Sequence, residues 1–549
     1  MLRAKLLVVL MAAIVWNLSW SQSQKPAAGS AASASLAGVV SSAAEGHMEG
    51  VLVSAKGAGS TVTVTVVSDN RGRYSFPRGR LQAGKYRLAT RATGYDLADP
   101  GVVELTADKG AEVNLKLEKT KNLASQLMSA EWLMSVPGTD EQKSELYECV
   151  GCHSLQLPLS SRHDAKEFLP VLERMRNHAP PSSLRRANVF LPFKVKLRPE
   201  DPKLAEYLST VNLRSASDGK WQYELKALPR PKGKATKVIY TEYDLLRPDS
   251  MPHDAVVDKD GMVWYTEFGR SFIGRLNPRT GEVKEWPVPP RKADFPEGML
   301  DLKFDKEGNV WAGMLFQGGV AKFDKKTEKV TTYPVPPEHD GVMTRTGMVS
   351  ISPTTGIVWF KASQDLKVHG LDPKTEKVVA TYKIPPVGFY GMEVNSQGNL
   401  YLFGLAGSVL GVMDTATGKV ETYPTPTPGG GPRRGDVDSQ DRAWFAEFYS
   451  GKIGMFDPKT KKIQEWAVPT RWGGSYDLVV GKNGDVWAGG MHTDYIFRLN
   501  PTTGQVTEYL LPTLETNIRR VDVDNSTTPP SVWVGENHQG KLAKLEALE

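Results

Sequence analysis

The sequence predicts a multidomain, mainly β chain: a β-sandwich, a small all-α domain and a seven-bladed β-propeller. Three observations carry that reading. An aromatic strand recurs at Trp264, Trp311, Trp359, Tyr401, Trp444, Trp487 and Trp533, every 42 to 48 residues. A strictly alternating run, TVTVTVVSD, occupies residues 61–69. Between the two lies a stretch whose apolar residues follow helical spacing, and it holds both cysteines of the 549-residue chain.

The N-terminus, MLRAKLLVVLMAAIVWNLSWSQSQ, has Arg3 and Lys5 before an apolar run from Leu6 to Trp16. That run is too short to span a bilayer comfortably, and small and polar residues follow it. This is the pattern of a secretory signal peptide, 1–21, with cleavage near Ser21. The chain is expected to be periplasmic or secreted, with no transmembrane segment once the leader is removed. Residues 22–35 are small and polar and read as a flexible linker. The net charge of +6 is scattered rather than clustered, so no nucleic-acid footprint is present.

Residues 36–120 alternate apolar and polar side chains between turn signals and read as a small sandwich. The run NRGRYSFPRGRLQAGKYRLATRATGY resembles the carboxypeptidase regulatory-like domain. That resemblance implies a structural or adhesive module without catalysis.

Residues 121–225 lose the alternation. NLASQLMSAEWLMS, DEQKSELYECV, DAKEFLPVLERMRNHA and DPKLAEYLSTVN have helical apolar spacing. Cys149, Cys152 and His153 form Cys-x-x-Cys-His in this segment. Haem c needs two closely spaced cysteines for its thioether bonds and a histidine directly after them for the iron. A thioredoxin-like dithiol needs a βαβ context that is absent, and a zinc site needs two further ligands. A two-residue spacing is poor for a structural disulfide. The segment resembles small c-type cytochromes through CVGCH and the closing LAEYLSTV helix. The resemblance implies covalent haem c on Cys149 and Cys152, with His153 on the iron. Met175 is the first candidate for the sixth ligand; His178, His163 and an open position are the alternatives. Residues 226–237, KALPRPKGKATK, read as a linker.

From 238 to 549 a turn and a proline-ended outer strand follow each of the first six aromatic strands, as in NPRTGEVKEWPVP. A period of 40 to 50 residues built from short strands predicts one four-stranded blade per repeat. The seventh repeat lacks its outer strand, and VIYTEYDLL, 238–246, is expected to supply it and close the ring. Candidate residues at the channel mouth are His253, Arg434 and Arg520 beside inner strands. Glu267, Glu447 and Glu536 join them, each three residues after its aromatic. Converging there, they suit an anionic or metal-assisted substrate. The alternative is that Arg and Glu pair as a structural ladder.

The repeats MPHDAVVDKDGMVWYTEFGRSFIGRLNPRTGEVKEWPVP and DRAWFAEFYSGKIGMFDPKTKKIQEWAVP resemble the virginiamycin B lyase (streptogramin lyase) family. That resemblance implies a seven-bladed propeller and opening of a cyclic depsipeptide ester by elimination. It also implies Mg²⁺ held by His and Glu, with a further His as base. Only His253 keeps the family's Pro-His context, and it lies in the first blade. The last blades carry Tyr476 and Arg519-Arg520 instead. Three functions stand open at this point. The first is haem-linked electron transfer, serving a redox partner protein or the quinone pool and a small-molecule substrate at the mouth. The second is a Mg²⁺-dependent lyase with an accessory haem, and the third is a non-catalytic binding protein.

Overall fold

A computed structural model describes residues 36–106, 110–180, 182–186, 189–215, 220–336, 343–362 and 366–548. The leader and first linker expected over 1–35 lie outside the described residues. The N-terminal part is sandwich-like. Leu36–Ser42 pairs with Arg73–Phe76 and with Leu115–Lys119 in one sheet. Leu52–Gly57, Val62–Val67, Gly84–Arg91 and Val102–Leu105 form the other. Leu36, Val40, Val53, Val64, Val66, Phe76, Leu115 and Leu117 fill the core between them, as the period-2 pattern requires.

Six blades are separate four-stranded antiparallel sheets. The first runs Pro252–Val257, Val263–Glu267, Phe272–Asn277 and Glu282–Pro287. The innermost strands neighbour one another right round the ring. The recurring tryptophan stacks on an aromatic of its own blade's outer strand: Trp264 on Trp286 at 5.5 Å, Trp311 on Tyr333 at 5.5 Å, Trp444 on Trp466 at 5.3 Å. Each of these tryptophans also donates its indole N–H to an aspartate in the preceding turn, at 2.8–3.0 Å. The two repeated sequence signals are therefore the two halves of one aromatic pair.

Val238–Asp244 completes the seventh blade, pairing antiparallel with Lys541–Ala547 from Val238↔Ala547 to Asp244↔Lys541. Its other edge is also taken. Val62–Val67 of the sandwich pairs with it, Val66 opposite Ile239, so sandwich and last blade share one eight-stranded sheet. Two edges that would otherwise be exposed cover each other. Arg91 of the sandwich fastens the junction, donating to the Leu511 and Thr513 carbonyls at 2.7 Å and to Asp494 at 2.6 Å.

Among the described residues five short α-helices lie between the two: α1 Ser129–Ser135, α2 Asp140–Ser144, α3 Gln156–Leu159, α4 Ala165–Arg176 and α5 Asp201–Val211. α4 opens with a reciprocal cap, Asp164 accepting from Glu167 N–H and Glu167 from Asp164 N–H, both 2.8 Å. α5 begins at Asp201, with Pro202 in its first turn. The Asp201 carboxylate takes the Arg176 guanidinium at 2.6 Å and the Arg198 N–H at 2.8 Å. The helical core of Trp132, Leu133, Leu146, Tyr147, Phe168 and Leu208 continues into Phe448, Tyr476 and Met491 of the propeller. The helices thus sit on the propeller mouth. The 226–237 stretch is tied down along its length: Leu228 N–H donates to buried Glu131 at 2.7 Å, and Arg230 reaches Glu45 at 2.6 Å. None of the described helices is long and apolar enough to cross a membrane.

Candidate functional site

The Cys-x-x-Cys-His motif is carried by a 3₁₀ turn, Glu145–Gly151, running on from α2. The N–H groups of Cys152 and His153 both donate to the Cys149 carbonyl, at 3.4 and 3.3 Å. The two thiols are unbridged. Cys149, Cys152 and His153 line one cavity of about 830 Å³. His153 Nδ1 donates to the Ser154 carbonyl at 2.9 Å, which fixes the tautomer and leaves Nε2 with a lone pair for a ligand. Burial pushes the Cys149 thiol up to about 12 and raises Cys152 as well. Burial also holds His153 below the usual histidine value.

The loop between the cysteines is held by the last blade. Asn517 donates to the Val150 carbonyl at 2.9 Å, Arg519 to the Gly151 carbonyl at 2.7 Å, and His538 Nε2 to the same oxygen at 3.3 Å. Met175 and His178 line the same cavity; His163 does not, and its ring packs on Phe168 at 5.4 Å. His178 Nε2 is buried without a hydrogen-bond partner among the described residues. The propeller wall of the cavity includes Arg345, Arg433, Phe448, Trp472 and Arg519.

A second cavity of about 260 Å³ adjoins the first, sharing Pro180, Arg345, Arg433 and Arg519 with it. Tyr390, Tyr476 and Phe268 also line it. Arg433 lies 3.9 Å from the Tyr476 ring centroid and 4.3 Å from that of Phe448. Tyr476 and Tyr390 share a hydroxyl–hydroxyl contact of 2.6 Å, and Tyr476 Oη is 3.4 Å from His253 Nε2. His253 Nδ1 bonds Asp254 at 2.6 Å.

Asp254 is where three of the sequence candidates meet: His253, Arg434 at 3.3 Å and Arg520 at 3.2 Å. Both arginines also reach Asp301, at 2.8 and 2.7 Å, and Asp477, at 3.6 Å each. All five ionic groups are buried. Burial alone would push the Asp254 carboxyl up, but Arg434 and Arg520 hold it well below the usual range. His253 is driven down to about 3 by burial, against the pull of Asp254, and is neutral.

The glutamates stay in their own blades. Glu267 accepts from Met251 N–H at 2.9 Å, Glu447 from the Ser450 hydroxyl at 2.6 Å, and Glu536 faces Glu242 in a fully buried setting. Among the described residues none of them meets Arg434 or Arg520, and Glu267 faces Arg270 at 3.8 Å, so the Arg–Glu ladder expected as an alternative gives way at the mouth to Arg–Asp pairing. Asp301 and Asp477 are the residues the sequence reading passed over. Their signal is a recurrent inner-strand aspartate, Asp301, Asp436, Asp477 and Asp522. Three of these accept a backbone N–H from the next blade: Asp301 from Val349 at 2.8 Å, Asp436 from Val480 at 2.9 Å, Asp522 from Val257 at 3.0 Å. Every blade's first strand pair is bulged close to that level, and Asp301 lies within its blade's bulge. Among the described residues no group of three His, Cys, Asp or Glu is placed to hold a metal ion.

Residues 293–548 match the virginiamycin B lyase family, and residues 35–118 match the carboxypeptidase regulatory-like domain. No curated protein matches the chain. Among solved structures, the fold is similar to virginiamycin B lyase from Staphylococcus aureus, at 21% identity over 56% of this chain and 99% of that one, TM-score 0.50. It is also similar to a streptogramin B lyase, at 24% identity over 57% and 99%, TM-score 0.51. Both likenesses concern the fold. The chain is mainly β and multidomain, with a carboxypeptidase regulatory-like part at its N-terminus and a propeller of the virginiamycin B lyase type at its C-terminus.

Proposed function

We propose that the chain is an exported c-type haem protein. It passes electrons singly between a redox partner protein or the quinone pool and a small molecule held at the propeller mouth. One observation carries this reading: Cys149, Cys152, His153, Met175 and His178 all line a single cavity of about 830 Å³ whose far wall is the propeller mouth. That volume is within the usual range for cofactor and ligand sites, about 300–1,000 Å³. Haem, when bound, supplies one-electron chemistry. The Cys149 and Cys152 thiols would hold it covalently, and His153 Nε2 is the free nitrogen for the iron. Met175 or His178, which line the same cavity, would offer a further donor to it. Asn517, Arg519 and His538 fix the attachment loop to blade seven.

The test is a pyridine haemochrome spectrum of full-length protein exported by a host that matures c-type cytochromes. About one covalent haem per chain is expected, lost in Cys149→Ala/Cys152→Ala. Absence of covalent haem from the folded protein sinks the proposal.

The match of residues 293–548 favours a Mg²⁺-dependent lyase as the second reading. The residues present do not fit the ion: the glutamates stay apart, and Asp254, Asp301 and Asp477 already face Arg434 and Arg520. Mg²⁺-dependent opening of a cyclic depsipeptide, abolished in His253→Ala, would restore that reading.

A further inference from the structure

We infer that the smaller cavity at the propeller mouth binds a neutral phenol, whose ring hydroxyl donates to Tyr390 Oη at the end of a one-way hydrogen-bond chain. This deepens the reading of a small molecule held at the mouth and rests on it, but it does not rest on haem attachment.

The direction of the chain follows from its buried end. Asp254 is fully buried and is held ionised by Arg434 and Arg520, so its carboxylate can only accept. His253 Nδ1, 2.6 Å away, is therefore the donor. Neutral His253 is left with an acceptor at Nε2. Tyr476 Oη lies 3.4 Å from that nitrogen and donates its O–H to it. Tyr476 then has only lone pairs to offer Tyr390, so Tyr390 donates across their 2.6 Å contact. Each bond polarises the next. With its own proton engaged, Tyr390 Oη is an acceptor. Arg433 faces one of its two acceptor sites, and the other is left to a ligand's donor.

Three blades build this chain, and rings hold it rigid. His253 stands on Pro252–Val257 of blade one, Tyr390 on Phe389–Val394 of blade four and Tyr476 on Ser475–Val480 of blade six. The Tyr476 ring is edge-on to Tyr390 at 6.3 Å, to His253 at 5.9 Å and to Phe448 at 6.3 Å. Its hydroxyl is thus fixed before any ligand arrives, which lowers the cost of binding.

The cationic groups nearest the chain are engaged within the protein. The Arg433 guanidinium lies 3.9, 4.3 and 4.8 Å from the ring centroids of Tyr476, Phe448 and Tyr390. Arg519 donates to Asn517 Oδ1 at 2.8 Å and to the Gly151 carbonyl at 2.7 Å. The polarised hydroxyl chain therefore sets the ligand class, and it asks for a donor. Phe268, Leu300 and Leu315 line the cavity with Tyr390 and Tyr476. Apolar and aromatic walls around one convergent polar group suit a ring that carries a hydroxyl.

The experiment is isothermal titration of purified holoprotein at pH 7 with phenol and with anisole, its methyl ether, which keeps the ring and lacks the donor. The same preparation is checked for covalent haem, so a missing haem and missing binding are read separately. Phenol should bind at least about fivefold tighter than anisole, the worth of one hydrogen bond. Tyr390→Phe, or Tyr476→Phe if the first variant is unstable, should lose that preference. The ratio of the two affinities is the readout, because a cavity merely loosened by substitution weakens both probes together. Nitrogen NMR of reduced, histidine-labelled protein should place the His253 proton on Nδ1, with the signal assigned by its loss in His253→Gln. Equal affinities for phenol and anisole, or binding of neither by folded protein with or without haem, overturns the proposal. A preference that persists in the tyrosine variants, or a His253 proton on Nε2, overturns the chain.

Discussion

Asp477→Asn should stabilise this protein at neutral pH. Three buried carboxylates, Asp254, Asp301 and Asp477, face two guanidiniums, Arg434 and Arg520. Neutral His253 adds no positive charge, so one negative charge is in surplus. Asp477 holds it: its contacts to both arginines are 3.6 Å, whereas Asp301 sits at 2.8 and 2.7 Å. Burial pushes its carboxyl from the usual 3.8 up to about 6, with Asp254 and Asp301 adding to the rise and the arginines opposing it. The folded state therefore binds this proton more tightly than the unfolded state does. Stability is highest below about pH 4, falls as pH rises through about 6, and is flat above. From 3.8 to about 6, at about 1.4 kcal/mol per pH unit, the penalty at pH 8 is about 3 kcal/mol. Asparagine removes the charge and can still accept the Leu478 N–H that Asp477 Oδ1 takes at 2.9 Å. At about 2.1 cal/mol/K of unfolding entropy per residue, a propeller of roughly 310 residues shifts by about 1.5 °C per kcal/mol, so Tm at pH 8 should rise by roughly 5 °C. The gain should shrink to nothing near pH 4. Scanning calorimetry from pH 4 to 8 reads both. A lower Tm at pH 8, or a gain that does not change with pH, refutes the charge accounting.

Removing a cation from the same network should do the opposite. Arg434→Met leaves buried carboxylates uncompensated and should cost about 3–5 kcal/mol; in denaturant titrations the double variant with Asp254→Asn should lose less than the sum of the singles. Arg519→Met removes the donor to the Gly151 carbonyl without touching the cysteines. Hydrogen exchange of the Val150–Ser154 amides should speed up at least tenfold, and unchanged exchange refutes the clamp. Deleting the sandwich, residues 36–118, uncovers the Val238–Asp244 edge that Val62–Val67 occupies. Light scattering should then show dimers or aggregates, and a stable monomer would mean the edge is protected in another way.

Repetition made most of the architecture readable. Seven aromatic strands against six outer strands required an outer strand from elsewhere, and Val238–Asp244 supplies it. The alternation of 61–69 marked a strand. It did not reveal that this strand joins the last blade, because pairing across some 170 residues leaves no mark in either strand. The mouth was half legible. His253, Arg434 and Arg520 stand out as polar residues beside inner strands, and they meet on Asp254. Glu267, Glu447 and Glu536 share a register but not a place, because residues at equivalent positions in different blades are spread around a ring. The aspartates that pair with the arginines were hidden by their own regularity, reading as turn and strand residues.

The sequence by itself determined the blade count, the closing strand and the motif at Cys149, Cys152 and His153, since each is a local pattern or a repeat. Only the tertiary structure decided that the motif faces the propeller mouth. It also decided that blade seven grips the loop between the cysteines, and that Arg433 lines the cavities while its neighbour Arg434 joins the buried aspartates. Those outcomes depend on which surfaces meet when separate modules pack, and on the bulges that turn neighbouring side chains to different sides. Neither is encoded in any local run of residues.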